Sequence, residues 1–124
     1  MTGQGRTPGP DHPIGVEPEG ARVVARVGDR VVAETEAALT LREASYPPVR
    51  YFPLADVDPG ALRPSPTTTR CPYKGTATYR TLVVGEGEEV VDAVWAYEEP
   101  YPAVAEIAGY VAFDPGRVQV TVEP

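Results

Sequence analysis

Cys71-Pro72-Tyr73-Lys74-Gly75 holds the only cysteine and the only lysine of the chain. The ten other basic residues are all Arg, so an ammonium at position 74 points to a need for its compact geometry or its proton rather than for charge alone. Thiolate is the reactive form of cysteine and a neighbouring ammonium favours it, so Cys71 beside Lys74 reads as an activated nucleophile. Lys74 can instead be the working group, as a base or through a Schiff base, where burial lowers its pKa. The plainer alternative makes Cys71 a small buried apolar residue and pairs Lys74 with Glu43 or Glu98 to pin the bend. Downstream, Trp95-Ala96-Tyr97-Glu98-Glu99-Pro100 carries the only tryptophan. Trp95, Tyr97, Tyr51 and Tyr79 each join an apolar ring to a polar tip, which suits either a core or the wall of a pocket. The candidates for chemistry are thus Cys71, Lys74 and Glu43, and those for ligand contact are Glu43, Tyr51, Lys74, Tyr79, Trp95, Tyr97 and Glu98.

Composition removes several other function classes. The formal charge is −7 and no Arg stands next to another, so a phosphate-tracking surface for nucleic acid is not expected. No apolar run approaches the roughly 18 residues of a membrane span, and residues 1–6 lack the apolar core of a signal peptide, so a cytoplasmic protein without membrane contact is expected. A single cysteine and a single histidine, His12, do not make an internal disulfide or a tetrahedral zinc site. No zinc and no other metal ligand set is predicted, and the cofactor stays unknown, with a carboxylate-held magnesium or calcium left open. Asp56 and Asp58 have the alternate spacing of a calcium loop, but the loop's glycine and distal Glu are missing, so both read as turn caps.

The elements that must position these side chains are short strands. At 124 residues the chain is long enough for one domain, which hides roughly two-thirds of the surface of the unfolded chain. Residues 1–13, polar and rich in Gly and Pro, read as a flexible arm, with His12 on its surface, and 14–124 as the single domain. Period-two alternation predicts a hairpin over residues 22–34 about Gly28-Asp29, then a strand from Ala37 to Glu43 with Glu43 on the Leu39 and Leu41 face. A carboxylate there needs a partner, a raised pKa, or a way out to water. Val49 to Phe52 is another strand. Residues 63–70 read as a loop leading into the bend at 71–75. Thr76 to Val84 and Val90 to Tyr97 form a hairpin, with Val91, Ala93, Trp95 and Tyr97 sharing one face near Tyr79. Residues 102–108 give a short helix with Val104, Ile107 and Ala108 as its stripe. Residues 110–113 and 117–122 read as a closing hairpin with Val118, Val120 and Val122 inward. Seven or eight strands and one helix predict an all-β, mainly antiparallel domain, as a small barrel or a folded sheet, monomeric or homodimeric through its exposed edges.

Cys71-Pro72-Tyr73-Lys74-Gly75, Trp95-Ala96-Tyr97-Glu98-Glu99-Pro100, Gly109-Tyr110-Val111-Ala112-Phe113, Tyr51-Phe52-Pro53-Leu54-Ala55-Asp56-Val57 and Leu41-Arg42-Glu43 together resemble a domain-of-unknown-function family, numbered 427, over about residues 12–122. The resemblance implies a compact β-tent-like domain of bacteria and some fungi, and it brings no established activity. Nucleotidyl transfer, sometimes attached to that family, wants two or three carboxylates holding Mg²⁺ on one rigid edge, usually after a Gly-Ser phosphate-gripping turn. No Gly-Ser followed by paired Asp occurs here, and no P-loop or dinucleotide glycine fingerprint. The leading expectation is a domain that binds a small polar molecule in an aromatic-lined pocket. An enzyme using Cys71 or Lys74, and a structural or partner-binding module, stand as alternatives.

Overall fold

The structure, a computed structural model, describes residues 7–123. Ten strands are present among them: β1 (Ile14–Pro18), β2 (Arg22–Val27), β3 (Arg30–Thr35), β4 (Leu39–Glu43), β5 (Val49–Pro53), β6 (Leu62–Cys71), β7 (Gly75–Gly85), β8 (Glu88–Ala96), β9 (Tyr110–Phe113) and β10 (Gln119–Glu123). They form a seven-stranded sheet in the order β1-β4-β5-β9-β8-β7-β6 and a three-stranded sheet in the order β10-β2-β3. Every pairing is antiparallel. The domain is all-β, as expected. The larger sheet ends in the free edges β1 and β6, so of the two expected forms it is the folded sheet and not the closed barrel.

Alternation along the central strands sends neighbouring residues to opposite faces of the larger sheet. Phe52, Leu82, Val94, Val111 and Phe113 pack with Val23, Ala25 and Val32 of the smaller sheet in one core. Tyr51, Ala77, Tyr97 and Ala112 pack on the other face with Leu41 and with Val104 and Ile107. Those last two belong to the segment Pro102–Ile107, which is a 3-10 helix kinked at Val104 rather than a continuous turn of α-helix. Its three-residue repeat buries Val104 and Ile107 and leaves Ala108 exposed, whereas the predicted stripe included all three.

Four further expectations differ from the structure. Residues 63–70 are not a loop but most of β6, the edge strand beside β7. Pro64 and Pro66 are tolerated there because an edge has a side with no partner, and the ladder shifts register between Pro64 and Thr68. Residues 110–113 and 117–122 are not a hairpin, because β9 inserts between β5 and β8 while β10 joins β2 in the other sheet. The chain changes sheets at Asp114, whose carboxylate accepts from Gly116 N at 2.9 Å and from Arg117 Nε at 2.8 Å. Regular alternation over Val91, Ala93, Trp95 and Tyr97 fails at Asp92, which has φ 55°. That conformation is unusual for a non-glycine residue, and beside it the β7–β8 ladder shifts register between Arg80 and Leu82, so strict alternation is lost from Val91 through Ala93. Val91 is exposed and Ala93 joins the Phe52 core, while Trp95 and Tyr97 stay together on the tyrosine face. Asp92 is held by Ser65 and Thr67 of β6, whose hydroxyls donate to it at 2.5 and 2.7 Å. Finally, Val122 is exposed rather than inward.

Candidate functional site

The segment Cys71-Pro72-Tyr73-Lys74-Gly75 is the turn between β6 and β7, with Cys71 opposite Gly75. Gly75 has φ 112°, a conformation L side chains rarely adopt. The turn is fastened from outside by Tyr101 N, which donates to the Lys74 carbonyl at 3.0 Å. Lys74 is thereby aimed back over the tyrosine face. Its ammonium lies 5.8 Å from the Tyr97 ring centroid and donates to Glu43 Oε1. Glu43 ends β4 on the Leu41 side, as the alternation of residues 37–43 requires. Both side chains are only 13 % exposed, so the charges are held away from bulk water.

The second oxygen of Glu43 is occupied from an unexpected direction. Ile14 pairs with Glu43 across β1 and β4, so the residues just before β1 pass over the end of β4. His12 Nε2 donates to Glu43 Oε2 at 2.7 Å. The imidazole stacks on Tyr73 with centroids 3.9 Å apart and an interplanar angle of 5°. His12 is therefore oriented by Glu43 and Tyr73, where nothing close to it in sequence promised a partner. Burial pushes the Glu43 carboxyl up, but the hydrogen bonds from Lys74 and His12 outweigh it and hold the group below its ordinary 4.5. Glu43 is thus a fixed carboxylate with two cationic or donor neighbours.

Beneath this pair lies the aromatic face. Trp95 and Tyr79 are register partners, and Trp95 Nε1 donates to the Tyr51 hydroxyl at 3.3 Å. Ala112 of β9 stands opposite Trp95, and its small side chain lets the indole reach across to Tyr51 of β5. Burial raises the Tyr51 phenol to about 12, and burial together with the nearby Tyr51 raises Tyr97 further, so both rings are neutral donors. Tyr79 shares a hydrogen bond with Thr69 at 3.0 Å. Cys71 packs against the same cluster.

A cleft opens where the pairing of β5 with β9 stops. β5 and β9 pair only at Phe52 with Val111 and Pro53 with Tyr110. Toward Val49 and Phe113 the two strands part. The gap is about 500 Å³ and is walled by Pro47, Pro48, Val49, Trp95, Phe113 and Pro115, with Val120 and Val122 of β10 and Tyr46 closing its sides. Two charged residues, Glu43 and Arg50, complete the lining. An apolar slot of this size with few polar groups is the usual form of a small-molecule site.

Residues 15–124 match a family described as a domain of unknown function, DUF427. The chain belongs to that family. No curated protein matches it. Within this DUF427 domain the structure brings Glu43, Lys74, Trp95, Tyr51, Tyr79 and Tyr97 to one side of the larger sheet, together with Cys71. Glu43 and Trp95 line the cleft itself, Tyr51 and Lys74 hold them, and Tyr79 and Tyr97 lie alongside. Glu98 is elsewhere. Its side chain is 60 % exposed and faces Arg80 Nη2 at 3.6 Å, beside a separate pocket of about 290 Å³ with Leu54 and Tyr110. Sequence reasoning did not place Arg50, Phe113, Val120, Val122 or Tyr73 in the site, and it read His12 as a surface residue of the N-terminal arm. Arg50 and Val120 carried only an alternation signal, and their meeting depends on where the sheet splits. Asp58 accepts from Gly60 N at 3.0 Å, the turn-cap role expected of it, whereas Asp56 accepts from the Thr35 hydroxyl of β3 at 2.6 Å, a tie between distant segments rather than a turn cap. No helix among the described residues is long and apolar enough to cross a membrane.

Proposed function

We propose that this DUF427 domain binds a small molecule in the cleft between β5 and β9. The apolar body of the ligand rests on Trp95, Phe113 and the proline walls, and a donor group at one end meets Glu43. The observation that carries this reading is Glu43 itself, a carboxylate held ionised at the rim of a gap whose walls, Arg50 apart, are apolar and aromatic. Lys74 and His12 use one site on each oxygen, and a carboxylate has about four lone-pair positions, so acceptor capacity remains for a ligand hydroxyl or amine. Binding is favoured over covalent chemistry because the Lys74 ammonium is already engaged by the Glu43 carboxylate and Cys71 is packed among aromatic rings.

The test is a thermal-shift screen of small amphipathic compounds against the wild type and Lys74→Ala. Stabilisers are expected for the wild type, with most of the shift lost in the variant as Glu43 swings free. Equal stabilisation of Lys74→Ala would count against the reading.

A further inference from the structure

Arg50 is the second charged residue of the cleft wall. Its Nε donates to Glu19 Oε1 at 3.0 Å, and Glu19 is itself fixed by the Thr40 hydroxyl at 2.7 Å. That contact sets the plane of the guanidinium. The two terminal nitrogens have no hydrogen-bond partner among the described residues, although the side chain is only 23 % exposed and forms part of the cleft wall. A guanidinium pinned at Nε with its outer edge unoccupied presents the planar fork that matches a carboxylate. Arg50 pairs with Thr40, and Glu43 lies three residues farther along β4, so alternation turns the two side chains to opposite faces of the sheet, and the gap where β5 and β9 part is lined by both.

We infer that Arg50 is the anion-binding residue of the cleft, and that its ligand is a compact carboxylic acid with an apolar or aromatic body and a hydroxyl or amine at its far end. This rests on the cleft reading above and adds the chemical class of what binds there. The carboxylate takes the free edge of Arg50, the body lies against Trp95 and Phe113, and the far donor reaches Glu43. A dianion such as a phosphate monoester fits less well, because Glu19 already neutralises much of the single positive charge that Arg50 offers.

The experiment uses matched pairs of compounds, 4-hydroxyphenylpropanoate with 3-(4-hydroxyphenyl)propanol, and 4-aminophenylacetate with 2-(4-aminophenyl)ethanol, with 4-hydroxyphenyl phosphate as a further arm. Trp95 is the only tryptophan and lines the cleft, so its fluorescence reads binding of each directly. Each carboxylate is expected to bind at least about tenfold more tightly than its alcohol, the size of a good charged hydrogen-bonded pair. Arg50→Gln should erase that ratio while leaving alcohol binding in place, and Arg50→Lys should retain part of it. Circular dichroism of both variants shows whether they fold, and the wild-type ratio stands as a test without them. Alcohols that bind as tightly as their acids, or a phosphate that binds best, would overturn the carboxylate assignment and leave the cleft reading intact. Failure of every compound to perturb Trp95 would overturn both.

Discussion

Against one face of the seven-stranded sheet lie aliphatic side chains with Phe52 and Phe113, whereas Tyr51, Tyr79, Tyr97 and Tyr110 lie against the other with Trp95 and Cys71. The first face is closed by a second sheet, and its two phenylalanines meet edge to face at 5.1 Å. Such packing stabilises the fold without specifying any chemistry. The second face is closed by a short 3-10 segment and by β1, and it carries an indole bonded to a phenol and a carboxylate clasped by an ammonium and an imidazole. Polar groups so placed cost desolvation and return little net stability compared with an apolar packing of the same shape. That clasp and that indole–phenol bond set the tyrosine face apart from the aliphatic one, although the cleft itself draws Phe113 and Val120 from the aliphatic side.

That contrast breaks if the two faces respond alike to substitution. The largest effect is expected from Leu82→Ala in the aliphatic core, where Leu82 is fully buried: urea unfolding should show a loss of about 2–5 kcal/mol, with binding by the folded protein unchanged. Glu43→Gln should cost less, about 1–3 kcal/mol, since one hydrogen-bonding oxygen remains, yet it should remove most ligand binding. A variant that lost stability like Leu82→Ala and kept its binding would place Glu43 with the structural residues.

Titration sharpens the comparison further, because the tyrosine face carries Tyr51 and Tyr97, whose values burial raises, and Glu43, whose value is lowered. The raised Tyr51 contributes stability that is fully present below pH 10.0 and is lost as pH rises through about 12. Melting temperatures should therefore fall more steeply over that window in the wild type than in Tyr51→Phe. At the acid end the sign reverses. The lowered Glu43 contributes stability above pH 4.5 that is lost as pH falls through its folded value, and Glu43→Gln should flatten that limb. The smallest effect is expected from His12→Ala, about 0.5–1.5 kcal/mol for one part-buried hydrogen bond and its ring stack, read by the same melts.

The sequence made the tyrosine face legible because its signals were local. The single Lys stood in a Pro-Tyr-Lys-Gly turn, Glu43 fell on the Leu41 side by alternation, and Trp95 and Tyr97 followed one another at period two. What stayed hidden depended on distant chain. His12 meets Glu43 only because β1 runs beside β4, and Arg50 lines a cleft only because β5 and β9 pair at one end. β6 was misread because its prolines signal a loop unless the strand is known to lie at an edge. The placement of Val91 failed at Asp92, whose left-handed backbone goes with hydrogen bonds from Ser65 and Thr67 of β6, a strand beyond β7 that the local pattern could not bring in.

The most direct measurement follows the single indole N–H in an NMR titration with the 4-hydroxyphenylpropanoate used above, alongside the methyl signals of Val120 and Val122. Concerted shifts of the Trp95 indole and those two valines, with the methyls of Leu82 unmoved, are the predicted result. Shifts confined to the surroundings of Arg80 and Glu98, with a silent indole, would contradict it.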